Sequence, residues 1–157
     1  MTTLDERLAA ALLAREATVA TAESCTAGLV AGRLADRPGS SAYLIGGFVT
    51  YANEAKTAEV GVPEDLLARV GAVSEEVAVA MAQGARARLG TTYGVSTTGV
   101  AGPGGGTPDK PVGLVHVAVA SAGAVRHRRL QLDGNRAQVR ADSVTASLEL
   151  LLEALGD

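Results

Sequence analysis

"ATVATAESCTAGLVAGRLAD", residues 17–36, holds the transition on which the fold turns. The first part, "ATVATA", is short, apolar and carries valine and threonine, the composition of a buried strand. From Ser24 or Cys25 to about Asp36 the apolar residues Leu29, Val30 and Leu34 fall at helical spacing. A strand therefore runs at once into a helix. Serine and the chain's single cysteine stand side by side at the junction.

The same alternation continues on both sides. Residues 4–15 read as an amphipathic helix with Leu4, Leu8, Ala11 and Leu12 on one face. "RPGSS" breaks the helix that follows the first strand. Residues 42–52, "AYLIGGFVTYA", read as a second strand with an irregularity at Gly46 and Gly47. "NEAKTAEVG" is a short helix opened by Asn53 as its cap and closed by Gly61. Pro63 starts another short helix, and Ser74 caps a longer one that ends at Gly90.

Residues 92–100 read as a third strand, which enters the glycine-rich loop "AGPGGGTPDKP". "GLVHVAVAS" and "AVRHRRLQLD" are separated by little more than Gly123, as in an antiparallel hairpin. A helix over about 135–155 closes the chain. Helices alternate with strands early and a hairpin comes late. The expected fold is therefore a three-layer α/β/α domain with a mixed, mostly parallel sheet and a late antiparallel hairpin. With 157 residues and no internal repeat or linker, residues 1–157 are expected to form one domain.

Composition narrows the function classes. The chain is 47% hydrophobic and 20% charged with net charge -3, as in an ordinary globular protein. One cysteine forms no internal disulfide, and a reducing, cytoplasmic setting fits it. The N-terminal stretch carries acids and arginines among its apolar residues, so neither a signal peptide nor a membrane span is expected there. Net acidity, dispersed arginines and the lack of tryptophan argue against a nucleic-acid partner. Two well-separated histidines make a poor zinc site, so no metal is expected.

Ser24 at a helix N-terminus reads two ways. One hydrogen bond to the first turn would explain it as a cap. Alternatively it is a nucleophile, with the free helix amides holding an oxyanion. Cys25 shares the position, but a thiol nucleophile needs a base. Both histidines, His116 and His127, fall in the late hairpin, so a small buried cysteine is the simpler reading.

A base for serine comes from an unusual distribution of cations. Of the 14 basic residues, only Lys56 and Lys110 are lysines. Lysine can lose its proton near neutral pH when desolvated, whereas arginine cannot. Lys56 follows the second strand by a few residues, and Tyr51 ends that strand. With the two strands adjacent, Tyr51 and Lys56 come near Ser24 at one sheet edge, where open α/β sheets place their sites. A tyrosine between serine and lysine would relay the proton. A solvated lysine and a packing tyrosine are the plain alternatives.

The glycine-rich loop permits left-handed backbone and an anion-binding nest of amides, or is simply a surface loop. Lys110 is placed there to meet a phosphate or carboxylate. Arg136 and Arg140 stand four apart near the start of the last helix, where the dipole disfavours cations, and so suggest an anionic partner or a pairing with Asp133.

Five blocks now form one pattern: "TAESCTAGLVA", "SSAYLIGGFVTYANEAK", "GAVSEEVAVAMAQGA", "STTGVAGPGGGTPDKPVG" and "GNRAQVR". In order, and over nearly the whole chain, they resemble the CinA C-terminal domain family, the nicotinamide-nucleotide amidohydrolases or NMN deamidases. The resemblance implies hydrolysis of the carboxamide of nicotinamide mononucleotide to nicotinate mononucleotide and ammonia. It implies a Ser–Tyr–Lys arrangement that falls on Ser24, Tyr51 and Lys56. Thr98 matches the family's Ser/Thr position in the glycine-loop block, and an arginine of the last helix, Arg136 or Arg140, is implicated. Ser40, Ser41, Gly102, Gly104 and Lys110 are the further candidates for holding the ribose phosphate. The family uses no cofactor here and suggests a homo-oligomer.

The pattern departs from the family at one position. Relatives usually read "ESCTGG", and Ala27 stands at the first of those glycines. A helical backbone there suits alanine, whereas a positive φ does not. Many relatives also carry an N-terminal domain with a pyrophosphatase-type role, an activity not carried over to this chain. The alternative reading is a catalytically inactive module of the same fold that binds a nucleotide or phosphate, and a third is a structural assembly domain.

Overall fold

A computed structural model describes residues 1–156. Among these residues six helices and five strands follow in the order α1 (Leu4–Ala14), β1 (Val19–Glu23), α2 (Leu29–Ala35), β2 (Leu44–Val49), α3 (Asn53–Val60), α4 (Glu64–Val70), α5 (Glu75–Leu89), β3 (Tyr93–Gly99), β4 (Leu114–Ser121), β5 (Ala124–Gln131) and α6 (Arg136–Ala154). A single 3-10 turn, Ser40–Ala42, precedes β2.

The strands form one mixed sheet in the order β2-β1-β3-β4-β5. β1 runs parallel to β2 and to β3, while β3–β4 and β4–β5 pair antiparallel. Every residue of β1 is buried, as a strand covered on both faces requires. β2 and β5 are the edges. β2 alternates half-buried and exposed residues, and β5 carries Arg126, Arg128 and Arg129, charges that discourage edge pairing with another chain.

The pleat sends alternate residues to two cores. Val19, Val95, Val115, Val117 and Val119 pack against Leu8 and Leu12 of α1, Val30 and Leu34 of α2, and Leu148 and Leu151 of α6. Ala20 and Ala22 face the other way, against Val60, Leu67, Val77 and Met81 of α3, α4 and α5. Each fully buried Leu or Val contributes about 1.5–3 kcal/mol. Where α5 crosses β4 the packing is by small residues, Ala78 and Ala82 against Ala118 and Ala120, and α5 also lies close to β3. A Cβ on Gly94 would stand 2.0 Å from the Ala82 carbonyl oxygen, so only glycine admits the helix there.

The caps follow the sequence except at two places. Thr3 with Glu6, and Asn135 with Gln138, form capping boxes, and Ser74 caps α5. Asn53 is not a cap: Ala52 holds that position, with Asn53 the first residue of α3. The larger correction concerns Ser24. The helix expected from Ser24 or Cys25 begins only at Leu29, behind Gly28 at φ 99. Residues 24–28 form a turn, with the Ala27 amide bonded to the Ser24 carbonyl at 3.1 Å and the Leu29 amide to the Thr26 carbonyl at 3.0 Å.

The cause is Glu23, only 1% exposed. Its carboxylate accepts from the amides of Val30 (2.8 Å) and Ala31 (3.1 Å) and from the Thr26 hydroxyl (2.6 Å). A buried carboxylate thus occupies the N-terminus of α2, where the dipole favours it. Ser24 is left outside the helix, with its hydroxyl free for other partners.

Candidate active site

Because β1, β2 and β3 are parallel, their carboxyl ends meet at one edge of the sheet. Ser24 follows β1, Thr50 and Tyr51 follow β2, and the glycine-rich loop follows β3. Together with α3 they enclose an open cavity of about 280 Å³. That volume is close to the lower end of small-molecule sites, roughly 300 Å³.

Lys56 is the organising side chain. It sits in the first half of α3 and is 1% exposed. Its Nζ lies 3.0 Å from Ser24 Oγ, 2.8 Å from the Thr50 carbonyl and 3.1 Å from the Tyr51 carbonyl. Among the described residues no carboxylate pairs with it, so burial dominates and pushes its pKa down to about 8. The geometry suits the neutral amine. An –NH₂ group has two hydrogens, which the two carbonyls accept, and its lone pair then points at Ser24 Oγ. In the charged form the third hydrogen goes to Ser24, whose own hydroxyl turns to the Tyr51 carbonyl at 3.4 Å.

The tyrosine stands elsewhere than between serine and lysine. Tyr51 is 55% exposed, and its hydroxyl accepts from Arg136 at 2.9 Å. Lys56 meets Ser24 directly, so the geometry needs no relay through the Tyr51 hydroxyl; Tyr51 instead contributes its main-chain carbonyl, which accepts from Lys56. A side chain at a strand end can leave the sheet while its carbonyl stays, and that is the case here.

Cys25 is buried, and burial pushes its thiol up to about 11. The histidines give it no base: they contact each other across β4 and β5 at 2.8 Å, and His127 meets Glu75 at 3.2 Å. The thiol is therefore protonated at neutral pH and poorly nucleophilic.

The two arginines separate cleanly. Arg136 lines the cavity and donates to the Gly102 carbonyl at 2.9 Å as well as to Tyr51. Arg140 donates to the carbonyls of Cys25 (3.0 Å) and Thr26 (3.4 Å), fixing the turn behind Ser24. Gly102 and Gly104 line the cavity, as does Thr98, whose hydroxyl donates to the Ala72 carbonyl at 2.9 Å. Ser40, Ser41 and Lys110 are not among its lining residues. Ser40 sits in the turn before β2 and donates to the Ala35 carbonyl, and Lys110 donates to the Val70 carbonyl.

The helix amides expected to hold an oxyanion are also displaced. Those of Val30 and Ala31 already donate to Glu23, so α2 offers no free N-terminus to a ligand. Sequence reasoning did not single out Glu23 or the cavity residues Ala72, Val73 and Gly105. Asn53, read only as a cap, lines the cavity too. The "AES" and "GAVS" stretches were the available signals, but a buried carboxylate and a connector carry no periodicity. Among the described residues, no group of three or more His, Cys, Asp or Glu could hold a metal ion, and no helix is long and apolar enough to cross a membrane.

Comparison with known proteins shows the family of the chain. The model of the CinA C-terminal domain matches residues 1–155. A CinA-like protein of Mycolicibacterium gilvum (strain PYR-GCK) is 56% identical over 153 residues, which are 97% of this chain and 36% of that protein. A putative competence-damage inducible protein of Desulforudis audaxviator (strain MP104C) is 54% identical over 89% of the chain and 34% of its own length. The chain thus spans about a third of the length of these curated relatives. Among solved structures, the competence/damage inducible protein CihA from Agrobacterium tumefaciens superposes with a TM-score of 0.93 at 44% identity, covering 98% of this chain and 94% of that one. A CinA superfamily protein from Klebsiella pneumoniae gives 0.94 at 34% identity, covering 98% and 96%. The chain belongs to the CinA C-terminal domain family.

Proposed function

We propose that this member of the CinA C-terminal domain family is an amidase that hydrolyses the carboxamide of nicotinamide mononucleotide, giving nicotinate mononucleotide and ammonia. The observation that carries the reading is the buried Lys56 amine, its pKa pushed down to about 8, with Nζ 3.0 Å from Ser24 Oγ. A hydroxyl paired with a partly neutral amine in a cavity is a nucleophile with its base.

Neutral Lys56 takes the Ser24 proton as Oγ attacks the carboxamide carbon. The carbonyl oxygen becomes an oxyanion, held by main-chain amides at the cavity wall, Cys25 N–H among them because it follows the nucleophile directly. The Lys56 ammonium then gives its proton to the departing nitrogen, and ammonia leaves a Ser24 ester. Water, deprotonated by the same amine, attacks the ester carbon. The acid is released and Ser24 recovers its proton. Arg136 and the amides around Gly102 and Gly104 are suited to the phosphate.

The test is ammonia release from nicotinamide mononucleotide. The wild-type chain is expected to release it, and Ser24→Ala to lower the rate by roughly a thousandfold or more while melting at an unchanged temperature. A Ser24→Ala variant that turns over at the wild-type rate refutes the assignment.

A further inference from the structure

Three successive main-chain carbonyls, that of the last residue of α4 and those of the first two residues of the connector to α5, are each held by a different side chain. The Val70 carbonyl accepts from Lys110 Nζ of the glycine-rich loop. The Gly71 carbonyl accepts from Ser74 Oγ at 2.8 Å, and the Ala72 carbonyl from Thr98 Oγ1 of β3 at 2.9 Å. The connector has no sheet or helix ladder of its own, so these side-chain donors satisfy groups that would otherwise cost free energy when buried.

The connector is also a wall of the catalytic cavity, to which it contributes Ala72 and Val73. Lys110 stands on its other side, in a separate cavity with His116 and Arg129, which Val73 also lines. At the crossing the connector has glycine, at φ 78. A Cβ on Gly71 would lie 2.7 Å from Lys110 Nζ. The ammonium therefore occupies the place where a side chain would be, directly over the backbone. A compact ammonium on a flexible stem fills that place, and a planar guanidinium is wider. This is a structural reason for lysine in a chain that writes its other cations, Lys56 apart, as arginine.

We propose that Lys110 is a positioning residue: it latches the α4–α5 connector to the glycine-rich loop, and so sets the wall that Ala72 and Val73 present to the substrate. The inference rests on the amidase reading and deepens it. It also replaces the expectation that Lys110 meets a phosphate itself. Lys110 touches neither Ser24 nor Lys56, so releasing the latch weakens substrate binding and leaves the chemical step alone.

The experiment compares wild type, Lys110→Met and Lys110→Arg. It measures ammonia release from nicotinamide mononucleotide across pH 7–9.5 and amide hydrogen exchange over residues 70–74 without substrate. Lys110→Met is expected to raise KM roughly tenfold, the worth of one charged hydrogen bond, with kcat and the pH midpoint unchanged. Its connector amides exchange faster. Lys110→Arg behaves like Lys110→Met, because the charge is kept but the fit is lost. Connector exchange at the wild-type rate in Lys110→Met overturns the proposal, as does a wild-type KM or full rescue by arginine. If Lys110→Met fails to fold, Lys110→Gln carries the same expectations. Failure of the amidase reading looks different: wild type releases no ammonia, and the exchange measurement alone then decides the latch.

Discussion

The pH dependence of turnover is the most direct test of the Ser24–Lys56 pair. Burial brings Lys56 from the usual 10.5 down to about 8. The direction of the effect follows from the role. Burial favours the neutral form, the base must be neutral, and the rate therefore rises as pH rises through the lowered pKa. At pH 7 roughly a tenth of the molecules carry the neutral amine, against about one in three thousand for an ordinary lysine. At pH 9 the fraction is roughly nine-tenths. The value of kcat/KM, which reports the free enzyme, is thus expected to climb about tenfold from pH 7 to pH 9 with a midpoint near 8. Ammonia release at low substrate concentration measures it directly. Lys56→Arg supplies the control, since arginine keeps the charge and never becomes neutral; a loss of roughly 10²–10⁴-fold is expected at every pH. A profile flat from pH 7 to 9, a midpoint near that of an exposed lysine, or an active Lys56→Arg variant would refute the reasoning.

Three further outcomes follow from the geometry. Cys25→Ala is expected to keep turnover within about twofold, because a thiol pushed up to about 11 does no chemistry at neutral pH; loss of turnover with an intact fold revives the cysteine. Ala27 has φ 47, so Ala27→Gly is expected to remove left-handed strain of about 1 kcal/mol and raise Tm by roughly 2–4 °C; a lower Tm in calorimetry counts against it. Arg136→Met releases both Gly102 and Tyr51 and removes a guanidinium from the cavity, so KM for nicotinamide mononucleotide is expected to rise roughly tenfold or more, and an unchanged KM places the phosphate elsewhere.

The order of strands and helices was legible in the amino-acid sequence because periodicity and turn residues carry it. Leu8 and Leu12, the apolar run before Glu23 and the Gly123 turn placed the elements within a few residues. So was the neighbourhood of Ser24 and Lys56, since parallel strands bring their ends together. What stayed hidden depends on tertiary direction. Glu23 lies in an apolar strand, and nothing local shows that its carboxylate turns back to cap α2 and pushes Ser24 out of that helix. Tyr51 and Arg136 lie 85 positions apart, so their pairing had no local signal. Arg136 and Arg140 share a helix face by spacing, yet one reaches Gly102 and the other Cys25. Ser40 and Ser41 precede a strand rather than follow one, which puts them away from the edge where the three strand ends meet. Ala27 stands where the family resemblance expects a glycine, and its positive φ shows what that glycine would have supplied.

Lys56 is aimed by the carbonyls of Thr50 and Tyr51, and a carbonyl belongs to every residue. Exchanging either side chain leaves its oxygen in place, so an alanine scan passes over two of the three groups that orient the base. What fixes those oxygens is the path of the chain as it leaves β2, with the Thr50 amide bonded to the Glu23 carbonyl at 2.8 Å. Changes that reroute this bend, such as an inserted residue or a proline at position 50, are the ones that disarm the lysine. Sequence variation at positions 50 and 51 among active relatives is therefore no sign that these positions are idle.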